Sequence, residues 1–90
     1  MDSEEIFVKV NLPVAGEAVI LESKGIHFFN ALLKANGNSV MMVKFLITEL
    51  VLINNKKITE EMLNAMHIRD INYISTVIDT MLQDDHKNLM

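Results

Sequence analysis

The side chains that could bind a metal ion or transfer a proton are few and widely spaced. The three histidines, His27, His67 and His86, lie far apart in the sequence, whereas metal ligands are usually drawn from short spacings. Residues 84–86 place two aspartates next to a histidine, but a charged stretch of this kind is typical of a solvated tail. We therefore expect no metal site.

Paired carboxylates and nucleophiles lack the context that catalysis requires. Glu60 and Glu61 are adjacent, and adjacent side chains on a helix do not face each other, so the pair suits the positive end of a helix better. The chain has no cysteine, which excludes a thiol nucleophile, a disulfide and a thiolate metal site. No serine lies in a nucleophile-elbow pattern, and no glycine-rich loop follows a strand. We expect a protein that is not an enzyme and has no cofactor.

Composition describes a small acidic domain. Ninety residues suffice for one domain, and a hydrophobic share of 50% is enough for a core. The formal net charge is −4 and the eight basic residues are scattered, which argues against a nucleic-acid surface. The N-terminus has acids where a secretory signal has basic residues. We predict one domain over residues 1–90, with an ordered core at about 5–83 and a polar tail at 84–90.

Residues 39–53, SVMMVKFLITELVLI, form the apolar run around which the other elements are expected to pack. The length of the run favours a helix over a strand. Ser39 is a suitable N-cap, and the Asn pair that follows the run is a stop signal. The run contains Lys44 and Glu49 and is shorter than the ~20 apolar residues of a membrane span, so we expect no membrane insertion.

The predicted helix has two apolar groups when it is drawn at about 100° per residue. The inner face contains Val43, Leu46, Ile47 and Leu50, and the outer group contains Met41, Phe45 and Leu52. Two explanations of the outer group stay open, because a small domain leaves much of its surface uncovered. Either the rest of the chain covers the group, or a partner outside the domain does.

A β-hairpin is predicted upstream of this helix. Residues 5–12 alternate between apolar and polar side chains, residues 17–22 form a return strand, and a Pro-Val-Ala-Gly turn joins them. The residues predicted to share one face of the first strand are Ile6, Val8, Val10 and Leu12. Helices must cover the apolar face of the hairpin, since an isolated hairpin is marginally stable in water.

Residues 23–36 are predicted to form the first helix, closed by Gly37. A polar stripe of His27, Asn30 and Lys34 is expected in solvent, opposite the apolar residues Phe28, Phe29, Leu32 and Leu33.

The downstream residues predict a polar connection and two further helices. Residues 54–58 form the connection, Thr59 caps a short helix, and Asp70 caps a last helix that runs to about Gln83. The apolar arc of the last helix contains Ile71, Ile74, Ile78, Met81 and Leu82, opposite Asn72 and Thr76. The sequence therefore predicts an α+β fold, with an N-terminal antiparallel β-hairpin followed by three to four α-helices.

Protein binding is the function that these residues favour. The candidate contact residues are Met41, Phe45, Leu52, Met62, Met66 and Tyr73. Methionine side chains adapt to varied apolar partners, and an apolar pair at i and i+4 suits a partner helix. Packing of Met62 and Met66 against the last helix is the simpler explanation of that pair.

The order of elements and their linking residues resemble the tail assembly chaperones of contractile-tailed phages, of the type found in Mu-like prophages. That family has a hairpin of the form I-x-V-x-V-x-L-P…G…V-x-L, which is matched here from Ile6 to Leu21. The matching residues further along are Ala35-Asn36-Gly37, Ile58-Thr59-Glu60-Glu61-Met62-Leu63 and Asp70. The chain departs from the pattern at residues 22–25, where the family often has a basic residue and a proline.

The resemblance implies a protein of the bacterial host cytoplasm that binds the tape measure protein, a long helical chain, and keeps it soluble during tail assembly. It also implies that no catalytic residues are present. The alternative is a small structural or adaptor subunit of a phage tail or phage-like injection machine, and the third choice is a helical nucleic-acid-binding module. A homo-oligomer is considered among the partners, whereas nucleic acid and membrane are not expected.

The excess of acidic over basic residues predicts that the protein does not bind DNA. With a net charge of −4 and scattered basic residues, the chain lacks the clustered cations that displace counterions from DNA. A gel shift at low salt should show no retarded band. Retardation that fades as salt is added would contradict this expectation.

Overall fold

A four-stranded antiparallel sheet and four helices build the domain, so the predicted α+β class is confirmed. The computed structural model describes the backbone of residues 5–89 and the side chains of residues 5–82. The elements are β1 (Ile6–Leu12), β2 (Gly16–Leu21), α1 (Gly25–Ala35), α2 (Ser39–Leu50), β3 (Val51–Ile53), β4 (Lys56–Lys57), α3 (Glu60–Ala65) and α4 (Ile68–Leu89). The strands lie in the order β1-β2-β3-β4, each antiparallel to its neighbour.

The predicted N-terminal hairpin is present, with one irregularity. Its turn ends at Gly16, whose φ of 88° is a conformation that glycine adopts without strain. Ile6 pairs with Leu21 and Val8 pairs with Ile20, so Phe7 is an extra residue in β1. This β-bulge interrupts the alternation, and Ile6 therefore does not share the face of Val8 as predicted.

Helix α1 begins two residues later than predicted, and its faces are reversed. His27, Ala31 and Ala35 are buried, whereas Phe28, Phe29 and the other large apolar side chains are exposed. The stripe of small residues at i and i+4 lets α1 approach α2 closely, and the bulky side chains are left outside. Nδ1 of His27 accepts the backbone N–H of Lys24 at 3.0 Å, so this histidine has a structural role at the helix start.

Helix α2 is shorter than predicted at its C-terminal end. The N-cap is Asn38 rather than Ser39, because the Asn38 side chain accepts the N–H groups of Val40 and Met41 at 3.0 and 3.1 Å. The last three residues of the predicted helix form strand β3, which pairs with β2.

The polar connection predicted at residues 54–58 contains a second hairpin. Asn54 and Asn55 have φ values of 57° and 65°, the combination required at both central positions of a two-residue hairpin turn. The turn joins β3 to β4, and the pairing of Leu52 with Lys57 fixes its register. The sequence prediction missed this hairpin.

Helix α3 forms as predicted, but the start and end of α4 differ. The Thr59 hydroxyl accepts the N–H of Met62 at 3.0 Å and caps α3. Helix α4 begins at Ile68, preceded by His67, so Asp70 is not its N-cap. The backbone of α4 stays helical to Leu89, past the predicted end at Gln83 and through most of the predicted tail; Met90 lies outside the described residues.

The Asp70 carboxylate binds the turn of the N-terminal hairpin instead. Its two oxygens accept the backbone N–H groups of Val14 and Ala15 at 2.8 and 2.9 Å, and Asp70 is only 1% exposed. The contact joins residues that are 56 and 55 positions apart in the chain. It therefore fixes the first hairpin against the start of the last helix.

The core lies between the sheet and helices α2, α3 and α4. Its fully buried side chains include Ile20, Leu50, Val51 and Ile74. Of the predicted inner face of α2, Ile47 and Leu50 are buried and Leu46 is half-buried, but Val43 is 53% exposed. The predicted facing of α4 is confirmed for Ile74, Ile78 and Met81, which are buried, and for Asn72 and Thr76, which are exposed. It is wrong for Leu82, which was predicted in the apolar arc and is 44% exposed.

Truncation of the buried α4 side chains should destabilise the domain far more than truncation of the exposed ones. Ile74→Ala or Ile78→Ala should each cost about 2–5 kcal/mol, because each leaves a cavity in the core. Asn72→Ala and Thr76→Ala should each stay within about 0.5 kcal/mol. Urea melts of the four variants test this, and equal losses for both pairs would contradict the facing of α4.

Removal of the Asp70 carboxylate should be as costly as a core truncation. Asp70→Ala should lower the free energy of unfolding by about 3–6 kcal/mol, because two hydrogen bonds to a charged group are lost at about 1.5–3 kcal/mol each. Asp70→Asn should lose about half as much, because one oxygen remains as an acceptor. Hydrogen exchange at the Val14 and Ala15 amides should accelerate in both variants. Unchanged exchange would show that the carboxylate does not hold the turn.

Candidate functional site

The described side chains do not assemble a metal-binding cluster. Among residues 5–82, no three His, Asp or Glu side chains lie close enough together to hold a metal ion. Within the described part of the chain, no helix has both the length and the apolar character of a membrane span.

A groove between α2, α3 and α4 is one of the concave features of the described surface, and its lining is mainly apolar. Its volume is about 660 Å³, within the range of roughly 300–1,000 Å³ that is typical of ligand sites. Val40 and Val43 line it from α2, and Ile68 and Ile71 line it from α4. Its floor includes Ile47, which belongs to the core. A partner in this groove would thus contact the core directly.

The groove exists because the two halves of α2 have different surroundings. Ile47 and Leu50, in the second half, are buried against the sheet and α4. Val40 and Val43, in the first half, are 77% and 53% exposed. The apolar stripe of α2 therefore continues beyond the part that the domain itself covers.

A smaller cavity of about 140 Å³ extends the groove along α4. The two cavities share Val43, Ile47 and Ser75, and the second one reaches Ile78 and Leu82. From Ile68 to Leu82 the groove follows α4 for about 21 Å, at a rise of 1.5 Å per residue. The combined groove is as long as four turns of a helix.

The centre of the groove carries no unpaired charge. Lys44 is the cation in the lining, and its Nζ lies 3.0 Å from Oε2 of Glu60. The other polar side chains of this larger cavity are neutral (Ser39, Asn64 and Ser75), and the charged Asp79 lines the smaller cavity. A partner segment that fills the groove must therefore present an apolar face.

The structure separates the residues of the predicted outer group. Leu52 lies on β3 and pairs with Val19 and Lys57, so it belongs to the sheet and not to α2. Met41 and Phe45 do lie on α2, and both are half-buried. The prediction that all three form one helical stripe is wrong, because α2 ends at Leu50.

The stripe of Met41 and Phe45 faces α1. Glu49 lies one turn beyond Phe45, and it accepts hydrogen bonds from Asn30 Nδ2 at 3.3 Å and from Lys34 Nζ at 3.5 Å. Residues at i, i+4 and i+8 share one side of a helix, so Met41 and Phe45 lie on the α1 side of α2. The chain itself covers much of this stripe, which favours the first of the two explanations.

The other predicted contact residues are scattered. Met66 is half-buried against the core and lines the groove. Met62 is exposed on α3 and is not part of the groove lining. Tyr73 is exposed on another side of α4, beside Pro13 and Arg69. Of the six residues, only Met66 lines the groove.

Sequence reasoning missed the role of Val40 and Val43 and the exposed face of α1. Val43 was assigned to the core because it shares a stripe with Ile47 and Leu50. For α1, the signal is the pair of small residues Ala31 and Ala35 at i and i+4. Small side chains at that spacing indicate the face where another helix approaches closely.

No protein-family model matches the chain, and no curated protein and no solved structure shows significant similarity to it. The case for a function therefore rests on the groove, on the charge of the chain and on the resemblance described from the sequence.

Proposed function

We propose that this chain binds an apolar helical segment of a client protein in the groove between α2 and α4. The observation that carries the proposal is the groove itself, which is about 21 Å long by the rise of α4, apolar at its centre, and lined by the half-exposed Val43 and Ile68. Grooves of this kind accept the apolar face of an amphipathic helix, with anchors spaced at i, i+3, i+4 and i+7.

A helical occupant suits the groove better than an extended peptide. The walls are helices, whose backbone groups are already hydrogen-bonded internally, so they offer no free strand edge to a peptide. A helix brings its backbone hydrogen bonds with it and needs only side-chain contacts.

The client we propose is the tape measure protein of a contractile phage tail, which the family resemblance implies. Such a client is long and helical, and it must be kept from aggregating before the tail tube surrounds it. A net charge of −4 on the binding chain favours solubility of the complex, because like-charged complexes repel each other. Acting as a tail assembly chaperone thus requires the two properties that this chain combines, an apolar groove and an acidic exterior.

Replacing Val43 and Ile68 together with serine should weaken client binding about 30-fold and leave the fold intact. Both side chains are more than half exposed, so their loss costs the free domain little. In the complex each would bury further apolar surface worth about 1 kcal/mol. The measurement is fluorescence anisotropy with labelled peptides of about 20 residues (roughly five and a half helical turns in total) that tile the tape measure protein of the same genome.

Met62→Ser is the matched control, because it removes an exposed apolar side chain outside the groove lining. Circular dichroism and urea melts must show that the groove variant and the control are both folded, in contrast to Leu50→Ser, which should unfold the domain. If Met62→Ser weakens binding and the groove variant does not, the client contacts α3 at Met62 instead of the groove.

Co-expression provides the cellular test of the chaperone proposal. The soluble fraction of the tape measure protein should rise in the presence of the wild-type chain and not with the groove variant. The chain should be absent from purified particles. If it is retained in finished particles, the proposal is wrong and the adaptor alternative is supported.

A further inference from the structure

Helix α1 turns its large apolar side chains away from α2. These side chains, termed the α1 face, are Ile26, Phe28, Phe29, Leu32 and Leu33. Leu33 is 79% exposed, and the rings of Phe28 and Phe29 meet edge to face with their centroids 5.6 Å apart. A fully exposed leucine, isoleucine or phenylalanine side chain has an area of about 200 Å², so the exposed fractions of the five residues add up to roughly 500 Å² of mainly apolar surface.

The α1 face is free of charge. Lys34 is the charged residue within Gly25–Ala35, and it reaches toward α2, where its Nζ lies 3.5 Å from Oε2 of Glu49. At the start of the helix, Nζ of Lys24 lies 3.7 Å from Oε1 of Glu5. Two copies of the face therefore meet without bringing like charges together, which would otherwise oppose self-association.

The anchors of the face are symmetric about the middle of the helix. Ile26, Phe29 and Leu33 lie at i, i+3 and i+7, on one stripe. The midpoint between Ile26 and Leu33 falls beside Phe29, close to the centre of Gly25–Ala35. In an antiparallel pair with a two-fold axis at this point, Ile26 meets Leu33 of the partner subunit, and the two Phe29 rings meet at the axis.

The size of the face matches what a stable dimer needs. A standard interface buries about 800 Å² on each partner, of which roughly 60% is apolar. The five residues of the α1 face expose about that much apolar surface, most of it on the stripe of Ile26, Phe29 and Leu33, with Phe28 and Leu32 at its side. We propose that two copies of this chain form a symmetric dimer by antiparallel packing of their α1 faces.

The dimer surface is independent of the groove. On α2, the groove residues Val40, Val43 and Ile47 lie on the side opposite Phe45 and Glu49, the side that faces α1. The α1 face lies on the far side of α1 again. Dimerisation therefore leaves both grooves open, and the two surfaces can be tested separately.

Sedimentation equilibrium from about 1 to 100 μM tests the dimer. The wild-type chain should be dimeric in the upper part of this range. Phe29→Glu should raise the dissociation constant at least about 100-fold, because two carboxylates would meet at the axis. The groove variant Val43→Ser should remain dimeric. A wild-type chain that is monomeric at every concentration, or a dimer that persists in Phe29→Glu, would overturn the proposal. If circular dichroism shows that Phe29→Glu is misfolded, Leu33→Ser is used in its place.

Cross-linking tests the symmetry, and the absence of native cysteine makes single variants unambiguous. Under mild oxidation Phe29→Cys should form disulfide-linked dimers. Leu33→Cys alone should not, because its two copies lie about 10 Å apart along the paired helices, beyond disulfide reach. A mixture of Ile26→Cys and Leu33→Cys should give the mixed dimer. Efficient cross-linking of Leu33→Cys alone would show a parallel arrangement and contradict the antiparallel one.

Discussion

The contact of Asp70 with the first hairpin is the constraint on which the arrangement of this domain depends. Without it, the turn at Val14 and Ala15 would present two backbone N–H groups near the start of α4 with no protein acceptor to hold them. The contact joins the first and the last structural units of the chain. Because its partners are more than fifty residues apart, forming the contact closes a long loop of the chain, which costs more entropy than a local contact does.

Helix α2 divides the helical part of the molecule. One of its sides faces α1 through Glu49, and the opposite side forms a wall of the groove. A single central helix thus contributes to the core with its second half and to the surface with its first half. This division leaves the groove on one side of α2 and places α1, with its exposed apolar face, on the other side.

The sequence predicted the fold where local signals and packing agree. The hairpin from Ile6 to Leu21, the Thr59 cap and the inward face of α4 followed from alternation, capping chemistry and helical spacing.

The sequence was misleading where the same apolar pattern is compatible with either a helix or a strand. Residues 51–53 continue the apolar run of α2, and only the turn chemistry of the Asn pair identifies them as a strand. The faces of α1 were inverted because apolar side chains were assumed to point inward, whereas close approach to α2 requires the small ones. The groove was not predictable, since its position depends on how far α2 extends beyond the core, a tertiary property that no local spacing encodes.

Both edges of the sheet are built in ways that discourage a further strand from joining. At one edge, the bulge at Phe7 interrupts the regular ladder of β1. At the other edge, β4 is only two residues long, and both are lysines. If the chain carries an aggregation-prone client, as proposed, edges that resist pairing keep the client from adding a strand to the sheet. The helical surfaces then remain as the routes to association.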